Sequence, residues 1–102
     1  MYIDLSSNPT KSHYRVILDE TIEIIRDGEN RDNPLFMNIL NQLNDLKEQV
    51  VENKILKDWD DINERYTLGQ IAIQMFDDDD EMQNRLCDIY GGAVHYGELK
   101  DS

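Results

Sequence analysis

The sequence predicts an all-α protein, a compact bundle of four to five helices. Apolar residues recur at three- and four-residue steps along most of the chain, and the β-branched alternation typical of strands is hard to find. The length of 102 residues suits one domain with one core. We therefore expect a single helical domain over residues 1–102, with flexible ends at 1–8 and 97–102 and a short irregular or extended segment after the last helix.

The first two helices are predicted from matching start signals. Asn8-Pro9 supplies a cap followed by proline at the first helical position, and Gly28 suits the end of this helix. Asn33-Pro34 repeats the start signal. The second helix then carries a narrow apolar seam whose steps alternate between three and four residues, as in a coiled coil. The seam consists of Phe36, Ile39, Leu43, Leu46 and Val50.

A third helix is expected from about Leu56, with Trp59 and Ile62 on its apolar face. This spacing places Trp59 in the core. Thr67 can cap a new segment and Gly69 can mark a bend, so two short helices at about 55–66 and 67–77 are the alternative to one long helix.

A last helix is expected after the acidic run, and Gly91-Gly92 is predicted to interrupt it. A glycine inside a helix costs about 1 kcal/mol relative to alanine, so two adjacent glycines favour a break. The segment that follows, residues 93–99, is the predicted irregular or extended one.

The chain is strongly acidic, with a formal net charge of -12 and an unbroken acidic run at 77–81. So much like charge on a small domain favours a basic protein as partner and argues against direct binding to nucleic acid or anionic lipid. No apolar stretch approaches the roughly 20 residues of a membrane span, and the first residues lack the pattern of a signal peptide. We therefore predict a cytoplasmic protein with no membrane contact.

The predicted partner-binding residues are carboxylates in the second half of the chain, together with two tyrosines expected to reach the surface. Carboxylates attract Lys and Arg, and tyrosine is enriched where interfaces bind them. The alternative is that these acidic residues only solvate an exposed face and cap the next helix. The set comprises Asp58, Asp61, Glu64, Tyr66, Asp77, Asp78, Asp79, Asp80 and Tyr96.

No catalytic, cofactor or metal signature is found in the sequence. A calcium loop starting at Asp77 would place Met82 where glycine is needed and Asp88 where a bidentate glutamate belongs. Cys87, the one cysteine, lies among apolar residues, so we predict a buried thiol rather than a nucleophile paired with His95. The sequence therefore predicts a protein that is not an enzyme and holds no cofactor or metal.

The stretch ERYTLGQIA at 64–72, followed by MFDD at 75–78, resembles the C-terminal half of small acidic immunity proteins that bacteria pair with secreted toxins. The resemblance implies a helical protein that binds the nuclease domain of a toxin and lays carboxylates over its basic surface. The producing cell would thereby be shielded.

Two other functions fit the same composition. One is a nucleic-acid mimic whose carboxylates occupy the binding site of a DNA- or RNA-binding protein, since both carry repeated negative charge. The other is a helical adaptor that self-associates through the seam of the second helix as a homo-oligomer. The alternative use of that seam is packing within the chain's own core.

Overall fold

The computed structural model describes residues 2–28, 32–55, 58–77 and 80–100. Within these ranges the chain is all-α, which confirms the predicted bundle, and its one β pairing is an isolated bridge between Thr10 and Lys100. A 3₁₀ turn at Leu5–Ser7 precedes the first helix, and another at Tyr96–Glu98 follows the last. The helices are α1 (Lys11–Asp27), α2 (Pro34–Leu46), α3 (Trp59–Arg65), α4 (Leu68–Met75) and α5 (Glu81–Val94).

The apolar seam of the second helix lies inside the protein. α2 begins with Asn33 as cap and Pro34 in the first turn, as predicted, and a π-helical turn at Lys47–Glu52 continues it. Phe36 is partly buried against Phe76, with ring centroids 6.1 Å apart. The remaining seam residues are fully buried, so the seam serves the chain's own core and is not a surface for self-association. These residues are Ile39, Leu43, Leu46 and Val50.

α1 begins two residues later than predicted. Its cap is Thr10, whose Oγ1 accepts a hydrogen bond from the backbone N–H of His13 at 3.0 Å. Pro9 lies outside the helix, and its carbonyl accepts a hydrogen bond from the N–H of Lys100 at 3.1 Å. Lys100 thus pairs with the backbone just before α1 through an isolated bridge to Thr10.

The middle of the chain forms two short helices, α3 and α4, which confirms the second of the two predicted alternatives. Tyr66 and Thr67 separate them. The side chain of Gln42 on α2 binds Thr67 twice: Oε1 accepts the backbone N–H at 2.8 Å, and Nε2 donates to Oγ1 at 2.9 Å. α2 therefore satisfies a backbone N–H that the start of α4 would otherwise leave unpaired.

The predicted break at Gly91-Gly92 is wrong, because α5 continues through both glycines to Val94. A Cβ on Gly92 would lie 2.7 Å from the side chains of both Leu5 and Tyr14. The absence of a side chain lets α1 and the N-terminal turn approach α5 closely, and the Tyr14 hydroxyl donates to the Ile89 carbonyl at 2.7 Å. Packing against these two residues offsets the low helix propensity of glycine.

The first residues of the chain pack onto α5. Tyr2 donates a hydrogen bond from its hydroxyl to Asp88, and the backbone N–H of Leu5 donates to the same carboxylate at 3.1 Å. The buried Arg85 guanidinium lies 4.6 Å from the centroid of the Tyr2 ring and pairs with Glu81 at 3.0 Å. Burial, reinforced by Asp88, raises the pKa of Tyr2. This network attaches the N-terminal turn to the face of α5 that carries Gly92.

Candidate partner-binding surface

α3 is a short acidic helix whose start is fixed by its own carboxylates. Asp58 Oδ1 accepts the backbone N–H of Asp61 at 2.9 Å, and Asp61 Oδ2 accepts that of Asp58 at 3.4 Å. This reciprocal capping box forms the N-terminus of α3 and leaves both carboxylates exposed to solvent. Asp60 and Glu64 are exposed as well. Two of the predicted binding residues therefore combine a structural role with surface exposure.

The carboxylates of α3 have no basic partner within the described part of the chain. Arg65, on the same helix, is bound to Asp45 on α2 through two hydrogen bonds, Nε to Oδ2 at 2.6 Å and Nη2 to Oδ1 at 2.9 Å. These bonds to Asp45 raise the pKa of Arg65. No ion pair between described residues involves the remaining acidic side chains, so this face of α3 is anionic. They are Asp58, Asp60, Asp61 and Glu64.

Trp59, at the start of α3, lies at the surface and not in the core, so the prediction of a buried tryptophan is wrong. The side chain is 46% exposed. Its ring centroid lies 5.9 Å from that of Tyr90 and 6.1 Å from that of His95, both on α5 or at its end. The indole Cη2 is 4.0 Å from the position that a Cβ on Gly91 would occupy. The indole therefore lies against α5 beside Gly91, at a distance that a Cβ would also allow.

The ring of Tyr90 packs against the indole of Trp59, and contacts with α3 and α4 fix its position. Its hydroxyl donates a hydrogen bond to Asn63 on α3. A Cβ on Gly69 would lie 2.8 Å from Tyr90 Cε1, so Gly69 is required for the ring to pack on α4 and does not mark a bend. Burial raises the pKa of Tyr90. We call the following residues the acidic-aromatic surface: Asp58, Trp59, Asp60, Asp61, Glu64, Tyr90 and His95.

The two tyrosines predicted to reach the surface are buried. Tyr66 is 3% exposed, and its hydroxyl donates to Asp45 Oδ2 at 2.7 Å, an arrangement that raises the pKa of the phenol through burial first and the carboxylate second. Tyr96 is 9% exposed and packs edge-on against Tyr14 with centroids 5.5 Å apart. The expectation that Tyr66 and Tyr96 present their hydroxyls to a partner is therefore wrong.

The acidic run before α5 has a capping role as well as surface exposure. Asp80 is the N-cap, and its Oδ1 accepts the backbone N–H of Met82 at 2.8 Å. The carbonyl of Asp77 accepts the N–H of Asp80 at 3.0 Å. Both side chains are exposed. Asp78 and Asp79 lie outside the described residues. The proposed capping role of the run thus holds for Asp80, and a binding role for the run stays a prediction.

Cys87 is exposed, so the prediction of a buried thiol is wrong. Partial burial, together with the charge of Asp88, raises the pKa of the thiol and so disfavours the nucleophilic thiolate. Among the described residues, no group of three His, Cys, Asp or Glu side chains is placed to hold a metal ion. Nor does any helix in the described ranges combine the length and apolar character needed to cross a membrane.

Comparison with known proteins gives one match. The family model of Tsi6 matches residues 13–95, which include most of α1 and all of α2 to α5. No curated protein and no solved structure matches the chain. The matched range contains the whole acidic-aromatic surface. The chain therefore belongs to the Tsi6 family, a family of type VI secretion immunity proteins.

Proposed function

We propose that this immunity protein neutralises its toxin by binding the toxic domain through the acidic-aromatic surface. The observation that carries the proposal is the set of four exposed carboxylates at the start of α3 and along it, without basic partners among the described residues, in the same short segment as a half-exposed tryptophan. Charged groups without internal partners contribute little to folding, while exposed aromatic residues are typical of interface hot spots. The combination suits recognition of a basic protein surface.

Such a surface fits a toxin that binds phosphate groups with Lys and Arg, as a nuclease does. Carboxylates that occupy those basic side chains would compete directly with the phosphates of the substrate. The net charge of -12 would also attract a basic toxin over long range and raise the rate of encounter. The proposed mechanism is therefore occlusion of a basic active site, which requires no catalysis by the immunity protein.

The acidic residues at 77–80 have a different proposed role from those of α3. Asp80 is engaged in the cap of α5, whereas Asp77 is exposed, and neither belongs to the acidic-aromatic surface. We assign Asp77, Asp78, Asp79 and Asp80 to long-range attraction of the toxin. Asp58, Asp61 and Glu64 are assigned to direct contact.

The experiment that tests the proposed function is protection of growing cells. Immunity proteins are encoded beside their toxins, so the probe is the toxic domain from the gene that adjoins the gene of this chain. Induced alone in a heterologous bacterial host, this domain is expected to arrest growth, and co-expression of the immunity protein is expected to restore it. A control for loss of folded protein is the same chain with Gly92→Ala, whose fold is expected to be weakened and whose protection is therefore expected to fall. Growth arrest that persists with the wild-type chain at equal expression would contradict the proposal.

A further inference from the structure

We infer that Trp59 is the anchor of the toxin interface and that it receives the guanidinium group of a toxin arginine. The inference rests on the proposed function and adds to it the chemistry of the contact. Three features carry it: the exposure of the indole, its rigid support, and the exposed carboxylates that flank Trp59 in the sequence.

The indole is open to a partner although it is held in place. Trp59 is 46% exposed, yet it contacts Tyr90 and His95 and lies close to the backbone of Gly91. Tyr90 is fixed in turn by Asn63 and by packing on Gly69. A large aromatic side chain that is already ordered loses little conformational entropy on binding, which is the property of an anchor residue.

The charges around the indole select a cation as its ligand. Asp58 and Asp60 flank Trp59 in the sequence, and both are exposed. His95, whose ring contacts the indole, lies beside a further carboxylate, with 3.4 Å between His95 Nδ1 and Glu98 Oε2. An uncharged apolar ligand would cover these carboxylates without giving them a partner, which costs free energy. A cation placed on the indole would instead be attracted both by the face of the ring and by the nearby carboxylates.

Arginine meets this arrangement better than lysine. Its planar guanidinium stacks on an aromatic face while its N–H groups remain directed sideways, where they can donate to carboxylates in pairs. The ammonium group of lysine is a compact, strongly hydrated charge without such a plane. Arginine is also a residue that proteins use for phosphate recognition, so its capture by Trp59 would remove a substrate-binding group from the toxin.

The experiment measures the affinity of the purified toxic domain for chains in which the electron density of the indole is altered. Trp59 is the one tryptophan of the chain, so biosynthetic incorporation of fluorinated tryptophan changes this position alone. Fluorine withdraws electrons from the ring face and weakens its attraction for cations while nearly preserving shape and apolar character. We expect affinity to fall stepwise from tryptophan to 5-fluorotryptophan to tetrafluorotryptophan. Trp59→Ala is expected to weaken binding by about 30-fold.

The control is Met37→Ala, which truncates a side chain that is exposed to a similar degree, 51%, but lies on α2. Its affinity should equal that of the wild type, and circular dichroism should show unchanged helicity for both alanine variants.

Two results would overturn the inference while leaving the proposed function intact. Equal affinities across the fluorinated series, with a loss in Trp59→Ala, would show an apolar contact without a cation. Wild-type affinity in Trp59→Ala would show that Trp59 is not an anchor of the interface. Failure of the wild-type chain to bind the toxic domain would overturn the proposed function, and this inference with it.

Discussion

The double substitution Asp60→Asn and Glu64→Gln is expected to slow association with the toxic domain by about tenfold at low salt. Both carboxylates are exposed on α3, and neither belongs to its capping box, so the helix should stay intact. Exposed interface charges act on the rate of encounter more than on the lifetime of the complex, even where one of them, as proposed for Glu64, also contacts the toxin. Stopped-flow or surface plasmon resonance at several ionic strengths measures both rates, and the difference from wild type should shrink as salt rises.

A matched control removes the same number of charges from another face. Glu48 and Glu52 are exposed in the π-helical turn, four residues apart like Asp60 and Glu64. Glu48→Gln with Glu52→Gln should leave the association rate close to that of the wild type. Equal slowing by both double variants would show that only the total charge matters, and slowing by neither would remove α3 from the encounter.

Gly92→Ala is expected to lower the free energy of unfolding by about 2 kcal/mol. The added methyl group would meet Leu5 and Tyr14 at 2.7 Å, so α1 and the N-terminal turn would have to move away from α5. The loss of packing outweighs the gain in helix propensity. Urea denaturation followed by circular dichroism measures the change.

Gly91→Ala provides the comparison, because the two glycines are adjacent in the same helix. Among the described residues, a Cβ on Gly91 would meet the Trp59 side chain alone, at an ordinary contact distance of 4.0 Å. The variant should therefore be more stable than wild type by about 0.5 to 1 kcal/mol, as expected for alanine over glycine in a helix. A Gly92→Ala protein as stable as Gly91→Ala would contradict the packing described for α5.

Local patterns predict the helices of this protein well where the signal lies within a few residues. The period of apolar residues indicates the all-α class, and Asn33-Pro34 marks the start of α2 correctly. The break between α3 and α4 is also encoded locally, by Thr67, although its stabilisation by Gln42 comes from another helix. Such features depend on propensity and capping, which act over short distances along the chain.

The features that the sequence misses depend on contacts between distant segments. Gly91-Gly92 is helical because Leu5 and Tyr14 fill the space beside Gly92, and no local pattern indicates that contact. Tyr66 can be buried because its hydroxyl donates a hydrogen bond to Asp45 on α2. In both cases tertiary packing overrides the expectation from the neighbouring residues.

A local signal in the sequence accompanies the surface position of Trp59, although the spacing of apolar residues predicts a buried side chain. Asp58 and Asp60 flank it, and Asp58 with Asp61 forms the capping box that starts α3 at Trp59. A residue in the first turn of a short helix lies at its end, where it can turn away from the core. The capping box is thus a local signal that places Trp59 at the first position of α3 rather than in its interior.

The most direct test of the proposed interface is hydrogen–deuterium exchange of the immunity protein with and without the toxic domain. We expect new protection in the peptides that contain 58–64 and 90–95, with the exposed face of the π-helical turn at Lys47–Glu52 unchanged. Protection confined to other segments, with residues 58–64 exchanging as in the unbound protein, would contradict neutralisation through the acidic-aromatic surface.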